Sequence, residues 1–161
     1  MPYQPFTFVF PTRIVFGPGE SGRCAELAAE LKPEKVFVCT YADVRLPVLD
    51  QLLTCLDQRS VPYYLHAACT ANPRAEQIDE AAAIFLREGC DLVVGIGGGS
   101  VIDTCKGVAL LAKNPCPEGV WAYISGERSA ENGAYPIGLV VTIASTGSES
   151  NESFVVIDRL G

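Results

Sequence analysis

Apolar and polar positions along the chain fall into short runs that alternate between two periods. FTFVFPTRIVFG reads as two short strands around Pro11-Thr12-Arg13, closed by Gly17-Pro18-Gly19. Residues 20–31 (ESGRCAELAAEL) have helical composition, with Leu27 and Leu31 four apart on one face. KVFVCT, residues 35–40, is the kind of β-branched run that forms a strand buried on both faces. LPVLDQLLTCLDQR then predicts an amphipathic helix with Leu49, Leu52, Leu53 and Leu56 as its inner stripe. VPYYLHA predicts a second parallel strand, Asn72-Pro73 a break, and AEQIDEAAAIFLREG a helix ending on Gly89. DLVVGIGGG is a third buried strand that runs into glycines, and SVIDTCKGVALLAK is the helix behind it. Residues 114–136, rich in Pro and Gly, read as a long loop. IGLVVTIA, the turn TGSESN and a last strand SFVVID follow. Alternating β and α elements with buried strands predict an α/β fold, an open and mostly parallel sheet with helices on both faces, preceded by an N-terminal hairpin.

Two turns carry the candidate chemistry. Gly97-Gly98-Gly99-Ser100 sits where a strand ends and a helix begins, the place where ligands bind in open α/β sheets. Glycines let a phosphate approach the backbone, and the helix N-terminus presents free N–H groups. The same residues also fit a simple capping box, with Ser100 accepting from the Asp103 amide and the Asp103 carboxylate reaching back. A carboxylate in the first turn opposes phosphate, so Asp103 is expected to order the loop or touch a ribose. This is not the usual dinucleotide fingerprint, because Ser100 stands where the third glycine of Gly95-x-Gly97 would fall. ASTGSESN, residues 144–151, repeats the arrangement with hydroxyls, a glycine and another strand before it. Two such turns at one end of a sheet favour a nucleotide cleft over capping alone.

Composition narrows the field. The chain has 161 residues, 48% hydrophobic and 19% charged, which suits one globular domain. A net charge of −7 without a basic cluster gives no support for nucleic-acid binding. No run approaches the ~20 apolar residues of a membrane span, and the start has no signal-peptide pattern, so no membrane partner and a cytoplasmic location are expected. Seven cysteines, none within ten residues of another, form no C-x-x-C pair and read as small buried hydrophobes. His66, the single histidine, reads as a core or edge residue, and Trp121 and Tyr123 as loop anchors. Residues with metal-ligand or nucleophile–base spacing are missing, leaving a binding half without a reaction half. The chain stops just after a strand, which suggests a fragment of something longer.

FPTRIVFGPG, Asn72-Pro73, GGGSVIDTCKG and PIGLVVTIASTGSESN followed by VVID together resemble the iron-containing (type III) alcohol dehydrogenases. The resemblance implies an N-terminal dinucleotide-binding domain, like that of dehydroquinate synthase, over residues 1–161. It also implies a following all-helical domain, outside this chain, in which one Asp and three His hold Fe²⁺ or Zn²⁺. TIASTGSESN looks most like the branch of NADPH-dependent butanol dehydrogenases and aldehyde reductases. Gly98, Gly99 and Ser100 would then hold the pyrophosphate, with Gly97 beside them in the cofactor site. Thr142, Ile143, Thr146 and Ser153 would line the adenine and nicotinamide-ribose side, with Asn72 nearby. Tyr41 and Asp43 follow the strand whose end meets the ribose; Tyr41 fits an NADP-type branch, Asp43 would repel a 2′-phosphate and Arg45 would attract one. The choice between NAD and NADP therefore stays open. The expected activity is hydride transfer between nicotinamide and a small primary alcohol or aldehyde, by a full-length homo-oligomer, with this chain inactive alone. A glycerol dehydrogenase-like or sugar-phosphate cyclase-like relative, or a stand-alone nucleotide-binding module, is the alternative.

Overall fold

A computed structural model of the chain describes residues 12–144 and 147–158. Among the described residues four strands, β1 (Val36–Tyr41), β2 (Tyr63–Cys69), β3 (Leu92–Gly97) and β4 (Ile137–Val141), form one sheet in the order β2-β1-β3-β4. Every pairing is parallel, from Val36 opposite Tyr63 and Leu92 to Gly97 opposite Val141. Such pairings need crossover connections, and the alternating pattern supplies them as helices. These are α1 (Cys24–Glu30), α2 (Pro47–Gln58), α3 (Ala75–Arg87), α4 (Gly99–Lys113) and the single turn α5 (Trp121–Ile124).

Side-chain alternation divides the core in two. Val36 and Val38 face α1 and α2, with Ala25, Ala28, Leu49, Leu52 and Leu56. Phe37 and Cys39 face α3 and α4, with Ile78, Phe85, Val101, Cys105 and Val108. Helices therefore cover both faces, as the unbroken apolar runs of β1 and β3 require. α4 is buried all round from Val101 to Ala109, between α3, the sheet and the 148–153 turn. Asn114 ties down the 114–136 segment, its side-chain amide donating to the Leu110 and Gly133 carbonyls at 2.9 and 2.7 Å.

Several expectations change. The helix over 20–31 opens as a 3₁₀ turn at Glu20–Arg23, and its buried positions are Ala25 and Ala28. Leu27 is half-buried and Leu31 exposed, because small residues let the helix lie close to the sheet. Leu53 likewise stays half-buried at the margin of the α2 stripe. SFVVID adds no strand to the sheet. It runs beside the start of α3 instead, where Ile157 bridges Arg74, donates to the Pro73 carbonyl at 2.9 Å and accepts from Ala75 at 3.1 Å. The first strand of the expected hairpin lies outside the described residues, and 12–16 run without a ladder. Among the described residues, no helix is long and apolar enough to cross a membrane.

Candidate nucleotide site at the strand ends

The connection after β1 leads to β2 on one side, and the later connections lead to β3 and β4 on the other. The chain thus reverses direction between β1 and β3, and at such a switch point the loops part and leave a crevice. Tyr41 closes β1 and Gly97 closes β3, so both stand at that crevice.

The glycine turn is built by close packing. A Cβ on Gly97 would lie 2.5 Å from Val101 Cγ2, and one on Gly95 would lie 2.6 Å from Cys105 Sγ. Only glycine lets α4 fold back so tightly on the strand before it. Gly98 has an ordinary φ of −95°, so its constraint is space: a Cβ there would meet the Tyr41 hydroxyl at 3.2 Å and Ile143 at 3.4 Å.

Three other sequence segments converge on this turn. The Gly98 amide donates to the Tyr41 hydroxyl at 3.1 Å, and the Thr142 amide to the Gly97 carbonyl at 3.0 Å. The Asn72 amide donates to Ser100 Oγ at 3.2 Å, from a residue held at φ +52°. Asn72, Thr142 and Ile143 are exposed around it. Tyr41, Asn72, Gly97, Gly98, Gly99, Ser100, Thr142 and Ile143 therefore come together. Asp43 lies in the exposed turn beyond β1, and Thr146 lies outside the described residues.

The capping box on Ser100 does not form. Gly98 is the N-cap, the helix starts at Gly99, and no side chain caps it. Two successive glycines let the chain enter the helix directly at the strand end, which places Ser100 inside the first turn with its hydroxyl turned to Asn72. Asp103 falls one turn further in. Its Oδ1 is buried without a partner among the described residues. Burial raises its pKa above the usual carboxylate value, against the opposing pull of the nearby Val155 amide and of Lys106.

Lys106 is the residue that motif reading passed over. It lies one turn beyond Asp103 and is buried, and its ammonium donates to the Ser148 carbonyl at 2.5 Å, the Ser153 carbonyl at 2.6 Å and Asn151 Oδ1 at 3.2 Å. Burial lowers its pKa, and the carboxylates of Asp103 and Glu149 counter that. The sequence did hold a signal: a lysine within an apolar helix needs buried acceptors. Ser153 itself is exposed, on the turn that Lys106 holds.

Outside the crevice, His66 stacks on Phe37 on the edge strand β2 with centroids 5.3 Å apart, and burial lowers its pKa. Trp121 and Tyr123 pack against the core, and the Tyr123 hydroxyl donates to the Asn114 carbonyl at 2.6 Å. All seven cysteines are free thiols. Among the described residues, no group of three or more His, Cys, Asp or Glu is arranged to hold a metal ion, so none of them fits the ligand set of an iron or zinc centre.

An open parallel sheet with a glycine turn at its switch point is the arrangement in which doubly wound α/β proteins place their ligands. The family model for iron-containing alcohol dehydrogenases matches residues 11–160, and the chain belongs to that family. It is 33% identical over 157 residues to a probable NADH-dependent butanol dehydrogenase of Bacillus subtilis, covering 95% of this chain and 39% of that protein. It is 30% identical to the NADPH-dependent aldehyde reductase YqhD of Escherichia coli, covering 94% and 38%. Among solved structures it resembles the NADH-dependent butanol dehydrogenase A of Thermotoga maritima, with a TM-score of 0.88, 30% identity and coverage of 96% and 39%. The chain thus spans about two fifths of the length of these relatives and corresponds to their N-terminal part.

Proposed function

We infer that the chain is the dinucleotide-binding part of a nicotinamide-dependent alcohol dehydrogenase or aldehyde reductase. One observation carries the reading: Tyr41, Asn72, Ser100 and Thr142 meet around a glycine turn at the sheet's switch point. The pyrophosphate lies against the Gly97–Ser100 turn, where the first amides of α4 have no helical acceptor. The Gly98 amide is already bonded to Tyr41, which leaves the Gly99 and Ser100 amides as the first to meet a phosphate. Thr142, Ile143, Thr146 and Ser153 line the adenine and nicotinamide-ribose side. Bound there, the dinucleotide supplies the hydride donor or acceptor for a primary alcohol or aldehyde.

The metal that polarises the substrate oxygen belongs to residues beyond this chain, in the helical domain of a longer, cytoplasmic, homo-oligomeric enzyme. The chain alone binds dinucleotide weakly and turns over nothing.

Charge near the ribose favours NAD over NADP. Arg45 is engaged with Asp50 at 3.2 Å, whereas Asp43 is exposed in the turn that follows β1, the strand whose end borders the crevice. A 2′-phosphate would meet that carboxylate, and a 2′-hydroxyl would donate to it. Titrating NAD⁺ and NADP⁺ against the chain by calorimetry tests this. The expected result is tighter NAD⁺ binding, with Asp43→Ala narrowing the gap about tenfold, the size of one lost charge-assisted contact. No binding of either cofactor would overturn the dinucleotide reading, and tighter NADP⁺ binding would overturn the preference.

A further inference from the structure

We propose that Lys106 is a positioning residue of the nucleotide site, which holds the second cofactor turn in register with the first and does not touch phosphate. The inference rests on the dinucleotide reading above. A lysine one turn inside a glycine-loop helix invites the role of phosphate ligand, but its bonding excludes that. An ammonium has three hydrogens, and Lys106 directs them at the carbonyls of Ser148 and Ser153 and at Asn151 Oδ1. No donor remains for a ligand, and the residue is only 8% exposed.

What the ammonium holds is a self-bonded turn. Asn151 Oδ1 also accepts from the Ser153 amide at 2.9 Å, and Asn151 Nδ2 donates to the Gly147 carbonyl at 3.2 Å. The Ser150 amide closes the turn on the Gly147 carbonyl at 2.9 Å. Lys106 thus gathers residues 147–153 from beneath, and Asp103, one turn earlier on α4, lies near the Val155 amide two residues later. Ser100, Asp103 and Lys106 follow one another at three-residue steps along α4. One helix therefore carries the pyrophosphate turn at its tip and the ribose-side turn along its flank. The separation of the two turns is set by Lys106, not by the intervening chain.

Lys106→Met tests the role, with NAD⁺ and ADP as probes by calorimetry and amide hydrogen exchange as the structural readout. With the 147–153 turn assigned to the nicotinamide ribose and Thr142 and Ile143 to the adenine, ADP needs the Gly97–Ser100 turn but has no nicotinamide ribose to reach the 147–153 turn. The expected result is NAD⁺ affinity reduced about tenfold, the size set by ordering a loosened turn on binding, while ADP affinity stays within about twofold. Exchange at the Ser150 and Ser153 amides accelerates, and exchange within β1 and β3 does not. Equal loss for ADP and NAD⁺ would make Lys106 a phosphate ligand and overturn the proposal, as would unchanged NAD⁺ affinity. If Lys106→Met does not fold, Asn151→Ala breaks the clamp from the loop side, with the same split expected and the same results overturning it. A wild-type chain that binds neither ADP nor NAD⁺ would instead overturn the dinucleotide reading. Exchange at Ser150 and Ser153 still reports the clamp in that case.

Discussion

Tyr41 and Lys106 are each defined by what their polar atom already holds. The Tyr41 hydroxyl accepts from the Gly98 amide, so a pyrophosphate that uses this amide must displace a phenol first. A net hydrogen bond of this kind is worth about 0.5–1.5 kcal/mol. Tyr41→Phe keeps the ring against Gly97 and frees the amide, and it is expected to tighten ADP binding by up to about tenfold with little change in stability. Weaker ADP binding in a calorimetric titration would show that the hydroxyl serves the bound nucleotide itself. Ser100 illustrates a related point: its hydroxyl is committed to the Asn72 amide, which brings the break before α3 to the edge of the crevice.

At the level of elements, α4 organises the site, and its packing is set by α3 on one side and β3 on the other. Gly107 permits the approach of α3, since a Cβ there would lie 2.8 Å from two carbons of Ile78. Overpacking of that size costs about 1–3 kcal/mol, and the better helix propensity of alanine returns about 1. Gly107→Ala is therefore expected to destabilise by up to about 2 kcal/mol in urea unfolding, and to be close to neutral in an Ile78→Ala background. The same elements show how far the sequence could be read. The buried strands, the order of strands and helices and the two candidate turns all follow from local pattern, because period and glycine placement are local properties. The clamp, the Tyr41 contact and the failure of the Ser100 cap depend on partners 40 or more residues away or on where the helix begins. SFVVID illustrates the same limit. Its composition is that of a strand, but the backbone of Pro73, Arg74 and Ala75 offers it a nearer partner than the sheet.

For the whole molecule, Asp103 gives stability a pH dependence that one substitution isolates. Its folded pKa lies above the ordinary 3.8, so the folded chain holds this proton more tightly than the unfolded chain. The stabilisation is complete below 3.8 and is lost as pH rises through the folded value. Urea midpoints of wild type and Asp103→Asn, compared from about pH 3.5 to 6, are expected to shift in favour of the variant as pH rises, because the amide has no proton to lose. A constant difference across that range would show that the carboxyl titrates normally. The sheet order carries a last consequence, in time rather than space. β1, β2 and β3 lie within residues 36–97, whereas β4 pairs with β3 only after some forty further residues, and the Lys106-held turn follows β4. A ribosome has therefore delivered three strands and the glycine turn before the other wall of the crevice exists, and the ability to grip a nucleotide marks the completion of folding.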